Sequence, residues 1–107
     1  MRPLRWRGSI VAVALLSDAE IEERLRELPE WAREGKSIRR VYECGDFVGS
    51  TNFVAEIVEP AESMGHHPDL EVSWDKVTVA ISTHSEGGLT EADFELAREI
   101  DSRYPND

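Results

Sequence analysis

Leu70-Glu-Val-Ser-Trp-Asp-Lys-Val-Thr-Val-Ala-Ile-Ser82 is the stretch whose reading decides the fold. Leu70, Val72 and Trp74 alternate with Glu71, Ser73 and Asp75. Val77, Val79 and Ile81 then alternate with Thr78, Ala80 and Ser82. A strand sends successive side chains to opposite sides, so each run predicts a half-buried strand. Asp75-Lys76 reads as a two-residue turn between them. That turn pairs Trp74 with Val77, Val72 with Val79 and Leu70 with Ile81, which gathers the large apolar groups on one face. It also sets His67 opposite His84 on the polar face.

Working outward, Trp31 to Glu34 and Ser37 to Cys44 read as a second hairpin around Gly35-Lys36. Ile38, Arg40 and Tyr42 share one of its faces and Val41 lies on the other. Ser17-Asp-Ala-Glu20 is a capping box, with Leu16 and Ile21 as its hydrophobic staple, and opens a helix that ends before Pro29. Asp46 opens a second helix, in which Phe47, Thr51, Val54, Val58 and Ala61 recur at helical spacing. Pro60 lies in that pattern, where a proline costs about 3 kcal/mol, and predicts a kink rather than a stop near Val58. Thr90-Glu-Ala-Asp93 caps a third helix, with Leu89 and Phe94 as staple and Phe94, Ala97 and Ile100 as apolar stripe. The fold expected is α+β: a four-stranded antiparallel sheet with three helices on one face, in the order α-β-β-α-β-β-α.

Composition narrows the function classes. The chain has 107 residues, a single domain's length, with 40% hydrophobic and 32% charged residues, as in a globular protein. Its formal charge of -10 opposes direct binding to nucleic acid, which needs clustered Lys and Arg. Cys44 is the only cysteine, so no intrachain disulfide forms and no oxidising compartment is required. Arg2, Arg5 and Arg7 precede the apolar run Ile10 to Leu16, a faint likeness to a signal peptide. The run is short for one, no small-residue cleavage site follows, and it cannot span a bilayer. Residues 1–14 are therefore expected to be a disordered leader, residues 15–107 the working domain, and the location cytoplasmic.

The three histidines, His66, His67 and His84, fall in one short window. Imidazole is the side chain that exchanges protons near neutral pH without perturbation, so the cluster suits a reaction that needs both an acid and a base. No serine sits in a glycine-framed elbow, Cys44 belongs to another segment, and no glycine-rich phosphate loop is present. Three imidazoles also suit a zinc ion, but adjacent residues on a strand point apart. His66 and His67 would share a metal only if Pro68 bent the chain. Glu62 reads as a helix-end charge or as the partner that orients an imidazole. Asp93 reads first as a cap at the third helical position, and Trp74 as core or as a wall for a flat heterocycle.

Glu62, His66-His67-Pro68, Trp74, His84 and Asp93 also match, spacing by spacing, a motif of the pterin-4a-carbinolamine dehydratase family, which the chain resembles from about Leu15 to Asp101. Leu28-Pro-Glu-Trp31, Thr83-His84 and Gly88-Leu-Thr90 add to the likeness. The resemblance implies dehydration of 4a-hydroxytetrahydropterin, the product left by aromatic amino acid hydroxylases, to quinonoid dihydropterin, without metal or organic cofactor. It implies proton transfer by His66 and His67, with His84 binding substrate or sharing that transfer. Glu62, Pro68, Trp74 and Asp93 would support or line the site. It further implies a homodimer or homotetramer assembled through sheet edges and the second helix. Some relatives are instead binding partners, as a transcription coactivator or an assembly helper. Pro60 and Gly65 depart from the family pattern.

Overall fold

The computed structural model describes residues 14–105; of the expected leader, only Ala14 falls within them. The elements follow the expected order: α1 (Asp18–Arg26), β1 (Ala32–Glu34), β2 (Ser37–Glu43), α2 (Phe47–Met64), β3 (Asp69–Ser73), β4 (Lys76–Ile81) and α3 (Glu91–Ser102). A 3-10 turn, His84–Glu86, lies between β4 and α3. Both halves of the Ser17–Glu20 capping box form at the start of α1.

The strands make one antiparallel sheet in the order β1-β2-β4-β3. Tyr42, Val77 and Val72 lie in one row across it, and Arg40, Val79 and Leu70 in the next. These rows face the helices. Ile38, Tyr42, Val77, Val79 and Ile81 are buried there with Phe53 and Ile57 of α2 and Phe94, Leu96 and Ile100 of α3. The apolar periods of two and of about 3.6 residues thus meet in one core.

The β3–β4 register differs from the expected one. Val72 pairs with Val77 and Leu70 with Val79, so Trp74-Asp75 makes the turn. The shift is by two residues, so the apolar groups keep their face, but Trp74 leaves the sheet. It is 68% exposed and has φ 52, a left-handed conformation that is rare for a bulky side chain. The Ser50 hydroxyl donates to the Trp74 carbonyl at 2.7 Å, and the Cys44 amide to that of Asp75 at 2.7 Å. These tertiary bonds hold the turn where local pattern does not place it. Nor is β3 half-buried: Leu70 is 38% and Val72 40% exposed, because the strand lies at the sheet edge. His67 and His84 are not cross-strand partners, since both lie outside the strands.

Pro60 neither stops nor splits α2, which continues through it to Met64, with the proline ring buried. A polar centre lies at the C-terminal end of α3. Asp101 accepts from Trp31 Nε1 (3.1 Å), from Arg40 Nη1 (2.7 Å) and from the Tyr42 hydroxyl. The Arg40 guanidinium lies over the Tyr42 ring, 4.2 Å from its centroid. This network joins the first hairpin to the last helix.

Candidate active site

The end of α2 sets the first histidine. Gly65 takes the left-handed conformation at φ 62, which glycine adopts without a side-chain clash. Its amide donates to the Glu62 carbonyl at 3.2 Å, and the His66 amide to that of Ala61 at 3.0 Å. This pair of bonds is a Schellman motif, so the backbone of His66 is fixed to the helix it leaves. Gly65, a departure from the family pattern by sequence, is what the turn requires.

The His66 ring then reaches α3. Its Nε2 lies 2.7 Å from Asp93 Oδ1, with the imidazole 14% and the carboxylate 0% exposed. The other oxygen, Asp93 Oδ2, accepts from the Thr83 hydroxyl and from the Thr90 amide, each at 2.8 Å. A fully buried carboxylate is tolerable only when its lone pairs are satisfied, and here donors converge on both oxygens. Asp93 thus closes the capping box of α3 and holds an imidazole with the same side chain. The cap expected from the sequence is present, and the same carboxylate also meets His66.

His67 points elsewhere. Its Nε2 lies 2.7 Å from Glu62 Oε2, in a pair that is 62% and 68% exposed. Glu62 therefore orients an imidazole, as its place at the helix end suggested. Pro68, half-buried, joins the two histidines to β3. His84 is exposed on the 3-10 turn, and among the described residues its ring has no hydrogen-bond partner. It follows Thr83, whose hydroxyl is bonded to the carboxylate that holds His66. His66 and the His84 turn thus hang on one buried group.

Trp74 is not brought to this cluster by any contact. It turns the chain at the opposite end of β3, against the start of α2. Cys44 lies at that end as well, half-buried, and burial pushes its thiol up, away from the reactive thiolate. No group of three metal-binding side chains converges among the described residues. His66 and His67 are instead taken up by different carboxylates. Cavities of about 400 Å³, beside Cys44, Phe53 and Tyr104, and about 260 Å³, beside Pro60, Met64 and Arg103, contain none of the imidazoles. His67 and His84 are exposed to solvent, and His66 is mostly covered.

Sequence reasoning missed the part played by Thr83 and Thr90 in this cluster. The signal available was a threonine next to His84 and ten residues before a helix-capping aspartate. Only the fold shows that the threonine hydroxyl and the aspartate meet.

In chemical terms the cluster offers a buried aspartate holding one imidazole, an exposed glutamate holding a second, and a third imidazole free to meet a ligand. Proton transfer in both directions is within its reach.

Comparison with known proteins places the whole domain in a family. A sequence profile of the family described as pterin 4 alpha carbinolamine dehydratase matches residues 14–103. A Roseiflexus castenholzii protein, provisionally named pterin-4-alpha-carbinolamine dehydratase, is 50% identical over 88 residues, covering 82% of this chain and 95% of its own. A Cyanothece protein with the same provisional name is 48% identical over 86 residues, covering 80% and 89%. The crystal structure of a transcriptional coactivator/pterin dehydratase from Brucella melitensis superposes with a TM-score of 0.82 at 32% identity, covering 85% of this chain and 99% of that one. A pterin dehydratase-like RuBisCO assembly factor of the alpha-carboxysome shares the fold, with a TM-score of 0.58 at 15% identity over 72% of this chain and 89% of its own. This chain belongs to the pterin-4-alpha-carbinolamine dehydratase family.

Proposed function

We propose that the protein dehydrates 4a-hydroxytetrahydropterin to quinonoid dihydropterin by histidine acid–base catalysis, returning the pterin used by aromatic amino acid hydroxylases. The observation that carries this reading is the bond between His66 Nε2 and the buried Asp93, in a chain that keeps all three histidines. An ionised carboxylate only accepts hydrogen bonds, so Nε2 carries the proton and Nδ1 is the ring nitrogen left for the substrate.

In the reaction an imidazolium gives its proton to the C4a hydroxyl, which departs as water. A neutral imidazole accepts the proton lost from the ring nitrogen, and the C–O bonding pair leaves with the water. His66 and His67 carry these transfers, while His84 binds the pterin or shares in them. Glu62 and Asp93 orient the first two rings. Pro68 leads the chain from the two histidines into β3, and Trp74, at the opposite end of that strand, supports the hairpin. Each positioned acid or base is worth roughly 10²–10⁴-fold in rate.

Chemically generated 4a-hydroxytetrahydropterin, followed by its ultraviolet change, is expected to decay faster with the protein than in buffer. Decay at the buffer rate would favour the second reading, a binding module without catalysis. Exposed apolar side chains give that reading its footing: Phe47, Val48 and Val58 on α2, and Trp74.

The same side chains, with Leu70 and Val72 on the edge strand β3, also support a homodimer or homotetramer built through the sheet edge and α2. Light scattering on the eluting peak is expected to give two or four times the chain mass of 12.1 kDa. A monomer mass at micromolar concentration would contradict it. No helix among the described residues is long and apolar enough to cross a membrane.

A further inference from the structure

We propose that Thr83 is a positioning residue for the reaction, the middle link of a one-way hydrogen-bond chain from Thr90 to Asp93 that fixes the tautomer of His66. The inference rests on the histidine acid–base reading above.

The direction of the chain follows from counting protons. The Thr83 hydroxyl donates to Asp93 Oδ2 at 2.8 Å, which commits its single proton. Thr83 Oγ1 lies 2.8 Å from Thr90 Oγ1. With its own proton committed, Thr83 accepts there, and Thr90 donates. Thr90 Oγ1 in turn accepts from the Ala92 amide at 3.2 Å, which fixes it at the N-terminus of α3. Every bond thus runs toward the carboxylate.

Asp93 Oδ2 also takes the Thr90 amide at 2.8 Å, so its side is fully occupied by two donors. That leaves Oδ1 facing the imidazole, with the plane of the carboxylate set from behind. The surroundings are dry: Thr90 and Asp93 are 0% exposed and Thr83 is 7%. Bulk solvent therefore has little access to these bonds.

Thr83 has a second attachment. Its amide donates to the Gly88 carbonyl at 2.9 Å, and its carbonyl accepts from the Glu86 and Gly87 amides at 3.0 Å. These bonds close the turn that carries His84. One hydroxyl therefore ties the His84 turn to the carboxylate behind His66, and its loss would loosen two of the three imidazoles together.

The test compares Thr83→Val, which keeps the shape and removes the hydroxyl, with Thr83→Ser, which restores it. Imidazole nitrogen NMR of the labelled protein reads the His66 tautomer directly, and steady-state kinetics with 4a-hydroxytetrahydropterin read the consequence. In T83V the carboxylate keeps only one of the two donors on Oδ2 and turns away from the ring, so the His66 signals are expected to move from the Nε2–H form toward a mixture. Its kcat is expected to fall about tenfold with KM within about twofold, and T83S to recover both. If T83V does not fold, Thr83→Cys, with a weak S–H donor, takes its place and should give the same shift at smaller amplitude. A lower melting temperature with unchanged His66 signals and unchanged kcat would overturn the proposal and leave Thr83 a packing residue. If wild type itself does not accelerate dehydration, the proposed function fails. The NMR comparison still decides the hydrogen-bond chain.

Discussion

Asp93→Asn is expected to lower the dehydration rate by at least about 10²-fold while the protein stays folded. The amide that replaces the carboxylate has one acceptor oxygen and one donor nitrogen. The Thr90 amide and the Thr83 hydroxyl both demand the acceptor at the Oδ2 position. The NH₂ group is then turned toward His66 Nε2, which must become an acceptor, and the ring proton moves to Nδ1. The nitrogen presented to the substrate changes from a proton acceptor to a donor. The helix cap itself survives, since the amide oxygen still meets the Thr90 N–H, so the stability loss should stay within about 1–3 kcal/mol. A kcat within threefold of wild type, in a variant whose His66 has changed tautomer, would remove His66 from the chemistry.

The second large effect is on stability rather than rate. Asp101→Ala removes the acceptor on which Trp31, Arg40 and Tyr42 all converge. Arg40 is 8% exposed at its side chain and Asp101 20%, so water only partly replaces the lost carboxylate. Removing one partner of a buried ion pair costs about 3–5 kcal/mol, and the partial exposure of Asp101 places this case near 3. Such a loss is a large share of a domain's total, which is of order 5–15 kcal/mol, and chemical denaturation would measure it. Asp101 lies eight residues along α3 from Asp93, about 12 Å at 1.5 Å per residue. The dehydration rate per folded molecule should therefore stay within about twofold. A loss below 1 kcal/mol would show that Asp101 is not the hub of this end of the fold.

These two aspartates mark where sequence reading succeeds and where it stops. Asp93 was legible as a helix cap, because Thr90 and Asp93 stand three residues apart before an apolar stripe. Its partner His66 is 27 residues away and becomes its neighbour only through the packing of α2 on α3. Glu62 was legible as a group able to orient an imidazole. Which imidazole it meets depends on the left-handed exit at Gly65, which sends His66 inward and His67 back along the helix. The hairpin before α3 was legible as two strands, and their buried faces were right for β4. Its turn was not, because alternation continues through Trp74 while bonds from Ser50 and Cys44 hold the reversal there. At Pro60 the lost hydrogen bond is a local cost that the sequence shows, and α2 does not stop near Val58 but runs on to Met64 with the proline ring buried.

In the proposed reaction the imidazoles alone move the protons. Its most direct test is the dehydration rate of 4a-hydroxytetrahydropterin in excess chelator, for wild type, His67→Ala and His84→Ala. Wild type is expected to keep its full acceleration in chelator, and each variant to lose at least about tenfold. Abolition of the wild-type rate by chelator, or variants as fast as wild type, would contradict it.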